Sequence, residues 1–330
     1  MQNKETGETE LVEQYLGEVP IGQVEEYKYL GFVISCQGNN MANINAVKKK
    51  SIGVIRSIMQ KLDALKLQTY YFECALIFMN VMLRGSILYA SETYYNLTES
   101  QLRNIERIEE GYLRQILNTT RGSPIIQLYL KTGQFPARFQ IKKSRLLFLK
   151  CILEEDKESR TYRFLQAQEQ NPSKGDWVSE CRKDLIELEM NKTFEEIEKM
   201  PIRHFKNELK KKISETALKY LLEKKGSKGK EIKYACLEMA EYLLPYNDKL
   251  NIEEKQRMYA TRNRMVDIPQ NFGRKENCTC GNEETMSHIY SCEYLNIEET
   301  KLEYEKIFNG NITEQISIFR RFENNLKARN

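Results

Sequence analysis

Four residues in the last sixth of the chain have the types and spacing of a metal site. Cys278, Cys280, His288 and Cys292 fall within fifteen positions, in the stretch CTCGNEETMSHIYSC, and His288 is one of two histidines in the chain. Zinc in proteins binds four thiolate or imidazole ligands in a tetrahedron, usually as two close pairs joined by a short spacer. Gly281 lets the backbone turn after the second sulfur, and residues four apart, such as His288 and Cys292, share one helix face. The sequence therefore predicts one structural zinc ion.

The first cysteine pair is shorter than the usual arrangement. Cys278 and Cys280 are separated by one residue, whereas structural zinc sites commonly space the first pair by two or more. This makes Cys278 the weakest of the four candidate ligands, and leaves Glu276, Glu283 or a water molecule as alternatives for its position. The other interpretation of the cluster is a set of reduced thiols beside a surface histidine.

Positive charge is concentrated in a few segments, although the net charge of the whole chain is only +4. Positive stretches on separate helices favour a polyanion that follows a groove. The alternative is that these are solvated helix faces with acidic partners elsewhere in the fold. The segment KKGSKGK is either a flexible linker or a loop that contacts phosphates. The basic segments are 42–66, 136–150, 201–233 and 255–275.

Composition predicts an intracellular, helical protein. The 330 residues include only seven prolines and sixteen glycines, and a chain of this length usually forms two or more units. Eight cysteines without a signal peptide indicate reduced thiols, in a nuclear or cytoplasmic location. The most apolar stretch, Ala75 to Leu83, is too short to span a bilayer, so no membrane partner is expected. No Walker motif is present, and no small-molecule substrate is expected.

Periodicity places one β-hairpin before a series of helices. The run VEEYKYLGFVIS alternates and is rich in β-branched and aromatic residues, which predicts the hairpin. Helical spacing then begins at Met41, and Thr98 with Gln101 forms a capping-box pattern. Further helices are predicted near 69–84, 159–169, 175–199, 201–224, 230–244 and 252–264.

Several blocks occur in an order that resembles the C-terminal third of non-LTR (LINE-type) retrotransposon reverse transcriptases. These blocks are YKYLGFVIS, SILYASETYYNLT, LYLKTGQFPARFQIKKSRLLFL, TRNRMVDIPQNF and CTCGNEETMSHIYSC, and they cover roughly residues 20 to 295. In that family the YLG strand ends the palm, the following helices form the thumb, and the Cys-His cluster is a zinc knuckle. The shortened cysteine pair departs from the family's pattern.

The resemblance implies a mainly α fold, with a helical thumb-like bundle, one N-terminal β-hairpin and a small C-terminal Cys-Cys-His-Cys zinc knuckle. It divides the chain into an acidic leader (1–18) that is expected to be disordered, the hairpin at the end of a palm (19–40), a thumb-like domain (41–170), a helical C-terminal region (175–265), the knuckle (266–296) and a helical tail (297–330).

The resemblance also implies that the chain binds RNA or DNA, mainly through backbone phosphates. The family's paired aspartates, which hold two Mg²⁺ ions, should lie upstream of YLG, and no adjacent aspartate pair occurs in this sequence. We therefore expect no catalytic residues here, and Mg²⁺ only if a separate polymerase segment is a partner. The residues expected to contact nucleic acid are Lys48, Lys49, Lys50, Arg138, Lys142, Lys143, Arg145, Arg262 and Arg264.

Two alternatives remain at the level of sequence. One is a zinc-stabilised helical scaffold for protein interactions, derived from a retroelement, in which zinc closes a small domain with little core of its own. The other is a decayed product that does not fold. A phosphate-binding protein loses affinity steeply with salt, whereas an apolar interface does not, so salt dependence separates binding of nucleic acid from the scaffold.

Overall fold

The computed structural model describes residues 14–16, 19–21, 24–36, 40–67, 70–119, 125–173, 175–226, 249–262, 277–278, 280–283, 288 and 311–329. The described chain is mainly helical, with antiparallel hairpins at its N-terminal end and a Cys-Cys-His group towards its C-terminal end, which confirms the predicted fold class. The six cysteines described form no disulfide. None of the described helices is both long enough and apolar enough to cross a membrane.

The predicted hairpin is formed by β3 (Glu26–Tyr29) and β4 (Phe32–Ser35). The two residues of its turn, Leu30 and Gly31, both have positive φ, as a tight type I′ turn requires. A shorter hairpin precedes it and pairs β1 (Gln14–Leu16) with β2 (Val19–Ile21). Residues 14–16, expected to belong to a disordered leader, are thus a strand, and the rest of that leader lies outside the described residues.

Helix α1 (Met41–Leu65) holds the β3–β4 hairpin. The amide of Val33 donates to Asn43 Oδ1 over 3.0 Å, and Asn43 Nδ2 donates to the hydroxyl of Tyr94 over 2.8 Å. The ring of Phe32 packs 5.9 Å from the ring of Tyr94. A two-stranded hairpin is marginal on its own, so this attachment to α1 stabilises it.

Helices α2 to α5 complete the first half of the chain. Helix α4 begins with the predicted capping box, because Gln101 N donates to Thr98 Oγ1 and Thr98 N donates to Gln101 Oε1. A π-helical turn joins α2 to α3, and a 3₁₀ turn follows α3. The elements are α2 (Tyr71–Phe78), the π-helical turn (Met79–Leu83), α3 (Arg84–Ile87), the 3₁₀ turn (Ser91–Thr93), α4 (Glu99–Ile116) and α5 (Ile125–Thr132).

Among the described residues of the second half, the regular structure is helical, apart from a single bridge between Asn277 and Glu283. The helix predicted near 230–244 lies outside the described residues. The helices are α6 (Ala137–Leu153), α7 (Arg160–Gln170), α8 (Trp177–Glu187), α9 (Phe194–Lys199), α10 (Ile202–Gly226), α11 (Ile252–Arg262) and α12 (Ile312–Arg329).

The single helix predicted at 175–199 is two helices, α8 and α9. Glu189 adopts a positive φ of 53° just after α8, which stops the helix, and Thr193 starts the next one. Thr193 and Glu196 form a capping box of the same kind as the one on α4. The Thr-x-x-Glu signal for this second start is present in the sequence.

Two apolar cores meet at α6. The first core is formed mainly by α1 to α5, with Ala137 and Ile141 of α6, Leu221 and Tyr259, and the second core by α6 to α10. Helix α6 contributes Ile141 to the first core and Leu146 to the second. The second core includes residues on both sides of 171–174, such as Leu165 and Val178.

A buried arginine ties three parts of the first half together. Arg84 donates from Nε to Glu109 Oε1 over 2.7 Å, and from its terminal nitrogens to Asn80, Gln134 and the carbonyl of Phe135. Burial raises the pKa of Glu109, and the charge of Arg84 opposes that rise. This network joins α3 to α4 and to the loop between α5 and α6.

Candidate metal centre and nucleic-acid interface

The first two cysteines of the metal cluster lie on a tight turn. Gly281 N donates to the carbonyl of Cys278 over 2.8 Å, and Cys278 N donates to the carbonyl of Asn282 over 2.8 Å. Gly281 has a φ of +91°, a conformation that glycine adopts without strain. The bridge between Asn277 and Glu283 closes the base of the turn. This backbone path brings both sulfurs to the same side, although only one residue separates them.

Three of the four candidate ligands come together at this turn. The ligand atoms of Cys278, Cys280 and His288 lie within 4.8 Å of one another, so the group could hold a metal ion. Cys280 Sγ is 3.2 Å from His288 Nε2. Ordinary zinc–sulfur and zinc–nitrogen bonds in a tetrahedron would separate these atoms by about 3.5 Å, which is close to the observed distance.

Cys278, which the sequence marks as the weakest ligand, is therefore part of the group. Asn282 Nδ2 donates to Cys280 Sγ over 3.5 Å. Cys292 and Glu276 lie outside the described residues. Glu283 is exposed and is not part of the group.

Helix α1 presents its basic side chains to solvent. Lys48, Lys49 and Lys50 are all exposed, as the sequence predicts. Arg56 and Lys61 on the same helix are exposed as well, and the sequence contained the signal for them in the same basic segment. Within the part of the chain that the structure describes, none of these five cations has a carboxylate oxygen within 4.0 Å. We call these five residues the α1 basic face.

Arg138 on α6 has a different environment. Its Nε donates to Glu106 Oε1 over 2.6 Å, and a terminal nitrogen donates to Glu99 Oε1 over 2.6 Å. Burial alone lowers the pKa of Arg138, but the bonds to Glu106 and Glu99 outweigh it and raise that pKa above its ordinary value. The guanidinium also lies 4.8 Å from the centre of the Tyr220 ring. Arg138 thus joins α6 to α4 and α10.

Lys142 and Arg145 are held by Asp184 on α8. Lys142 Nζ donates to Asp184 Oδ1 over 2.7 Å and to Glu187 Oε2 over 2.6 Å, and Arg145 Nη1 donates to Asp184 Oδ2 over 2.5 Å. Arg145 also donates twice to the carbonyl of Tyr94, and only 3% of its surface is exposed. The donors of Arg145, a residue that the sequence assigns to phosphate contact, are therefore buried and occupied by Asp184 and the Tyr94 carbonyl.

The remaining candidates are divided. Lys143 is half-buried, and no carboxylate among the described residues lies within 4.0 Å of it. Arg262 ends α11, and Arg264 lies outside the described residues. The structure therefore groups the α1 cations on one exposed helix, whereas Arg138, Lys142 and Arg145 serve as ties between helices.

A cavity of about 560 Å³ beside α6 is lined by these ion-paired side chains rather than by unpaired cations. Arg138, Lys142 and Arg145 face it together with Asp184 and Glu187. Because the cations already pair with those carboxylates, the cavity does not present the net positive surface that a phosphate backbone requires.

Family models, curated proteins and solved structures were all compared with this chain, and none of them matches it.

Proposed function

We propose that this chain is the nucleic-acid-binding, C-terminal part of a reverse transcriptase of the non-LTR retrotransposon type, and that it binds RNA or DNA through the α1 basic face. The observation that carries the proposal is the exposure of five cations on one helix without described acidic partners. Lys49 and Arg56 lie within about 20° of one another around the helix axis, and both are more than about 100° away from the buried Ile58 and Leu62. Such a surface suits phosphate contacts, which give affinity without reading sequence.

The proposal includes one structural zinc ion at the Cys-His turn. Cys278, Cys280 and His288 supply three ligands, and Cys292 is the fourth. Zinc binding at such a site contributes directly to the folding of the segment that carries it. DNA synthesis is not included, because the sequence has no adjacent aspartates to hold paired Mg²⁺ ions. A separate polymerase segment would supply that chemistry.

Metal analysis tests the zinc assignment. We expect about one zinc per purified chain, and loss of that zinc when Cys280→Ser and His288→Ala are combined. The matched control is Cys74→Ser, which changes a described cysteine outside the cluster. Zinc retained by the double variant, or absent from the parent chain, would contradict the assignment.

Binding of labelled oligonucleotides at several salt concentrations tests the nucleic-acid assignment. The variant Lys48→Gln, Lys49→Gln and Lys50→Gln should bind RNA and DNA more weakly than the parent. The matched control neutralises three exposed lysines, Lys183, Lys199 and Lys211, which lie within 4.0 Å of glutamates on their own helices. Equal affinities for both variants would show that net charge alone, rather than the α1 face, attracts the polyanion.

The scaffold alternative is supported by the exposed apolar side chains of the β3–β4 hairpin. Tyr27, Tyr29, Leu30 and Ile34 are each exposed over half or more of their surface. Such a patch favours a protein partner. If the chain fails to bind RNA and DNA at low salt but retains a protein partner at high salt, the scaffold is the better assignment.

A further inference from the structure

A second cavity, of about 700 Å³, lies between α6, α7, α8 and the segment that follows α3. Aromatic rings form much of its wall. Trp177 and Phe148 meet edge to face, with 5.8 Å between ring centres, and Tyr95 and Phe164 also line the space. We call this cavity the aromatic pocket.

The position of Phe164 distinguishes the aromatic pocket from a piece of the core. Phe164 is 61% exposed although it lies beside an apolar cavity. One turn earlier on α7, Arg160 lines the same pocket, and residues four apart on a helix are neighbours on one face. Arg160 is exposed, and no described carboxylate oxygen lies within 4.0 Å of its guanidinium. An exposed ring, Phe164, and a cation without a described acidic partner, Arg160, thus lie side by side at the mouth of the pocket.

The aromatic pocket is physically connected to the α1 basic face. Asn40, at the start of α1, donates from Nδ2 to the carbonyl of Tyr95 over 2.9 Å. Tyr95 lines the pocket, and Lys48 lies eight residues along α1, a rise of about 12 Å. Asn40 thus joins the wall of the aromatic pocket to the helix that carries the α1 basic face.

We infer that the aromatic pocket binds an unpaired base of a single-stranded nucleic acid, with the neighbouring phosphate on Arg160. An unpaired base stacks on aromatic side chains without regard to its identity, and a cation at the mouth fits the phosphate that accompanies each base. A duplex keeps its bases stacked internally and cannot offer one to the pocket. This inference rests on the proposed nucleic-acid function and deepens it, because it selects single strands.

The chain contains a single tryptophan, and that residue lines the aromatic pocket, so its fluorescence reports occupancy. Oligothymidine, oligouridine and a DNA duplex of equal length are titrated into the full chain, with tryptophan selectively excited and binding measured in parallel by anisotropy of labelled strands. We expect both single strands to quench Trp177 fluorescence, with the same midpoint concentration as the binding measured by anisotropy. The duplex should bind without quenching. The two homopolymers separate a DNA from an RNA preference.

The variant Phe164→Ala should weaken single-strand binding about 5- to 150-fold, the range for loss of one stacked base, and leave duplex binding unchanged. Arg160→Gln should lower the salt slope for single strands by about 0.7. Ile186→Ala is the matched control, because Ile186 is 71% exposed on α8 and does not line the pocket. Helicity and thermal midpoint should be equal in all variants.

The possible outcomes distinguish failure of this inference from failure of the proposed nucleic-acid-binding function. Absence of binding to every oligonucleotide overturns the proposed function and the inference with it. Single-strand binding without quenching of Trp177 overturns the inference alone, and so does unchanged single-strand affinity in Phe164→Ala. The pocket would then be assigned to an apolar side chain of a protein partner. Equal quenching by the duplex also overturns it, because the pocket would not select unpaired bases.

Discussion

The basic segments 42–66 and 136–150 each carry a net charge of +5, yet the folded protein uses them in opposite ways. On α1 the cations face solvent without described acidic partners, whereas on α6 Arg138, Lys142 and Arg145 pair with buried carboxylates of other helices. Even Lys150 is fully buried, and its ammonium donates to the carbonyls of Ile197 and Glu198 at the end of α9. Two segments of equal net charge therefore do not offer equal numbers of cations to an external ligand, since acidic side chains from other helices pair with some of these cations.

Removal of Arg145 is expected to give the largest effect in this comparison. Arg145→Ala leaves Asp184, which is 1% exposed, with one fewer partner in a buried site. Breaking a buried ion pair from one side costs about 3 to 5 kcal/mol, and we expect a loss of that order in the free energy of unfolding. Urea unfolding measures it.

Lys49→Ala on α1 is the control for that measurement. Because Lys49 is exposed and its charge has no described acidic partner, we expect its stability to stay within about 0.5 kcal/mol of the parent. If Arg145→Ala is as mild as Lys49→Ala, the two regions do not differ in the way that the structure indicates.

The α1 triple variant, Lys48→Gln, Lys49→Gln and Lys50→Gln, should have the next largest effect, on binding rather than stability. If each lysine neutralises one phosphate, the slope of log affinity against log salt falls by about 2 for single strands and about 2.7 for duplex DNA. Anisotropy titrations across a salt series measure the slope, and urea unfolding checks that the fold is unchanged. An unchanged slope would mean that the α1 lysines are solvated without contacting phosphate.

The smallest expected effect concerns the N-cap of α8, the helix that supplies Asp184. Asp176 accepts hydrogen bonds from Ser179 N and Ser173 N. Burial alone raises the pKa of Asp176, but these bonds outweigh it and hold that pKa below its ordinary value. We expect Asp176→Ala to cost about 1 kcal/mol at neutral pH.

That contribution has a defined pH dependence. A carboxylate with a lowered folded-state pKa stabilises the protein above its unfolded-state pKa of about 3.9, and the stabilisation is lost as pH falls through the folded-state pKa. The difference in unfolding free energy between parent and Asp176→Ala should therefore shrink as the pH is lowered through that range. A difference that is constant with pH would assign the cost to lost packing rather than to the charged cap.

Local signals in the sequence predicted several features of the fold. The predicted capping box at Thr98 and Gln101 is confirmed. It is predictable because both partners lie three residues apart and need no tertiary contact. The tight turn of the β3–β4 hairpin, at Leu30 and Gly31, is equally local. The sequence does not predict the break between α8 and α9, although the Thr193 signal is present, because the apolar pattern continues across it.

The sequence by itself determined the helical class, the hairpin, the caps and the grouping of Cys278, Cys280 and His288, since each depends on residues close together in the chain. Only the tertiary structure decided which cations are available. Arg138 pairs with Glu106 from 32 positions away, and Lys142 with Asp184 from 42. No periodicity encodes such pairs, because they arise when helices pack and a buried charge must find an opposite one.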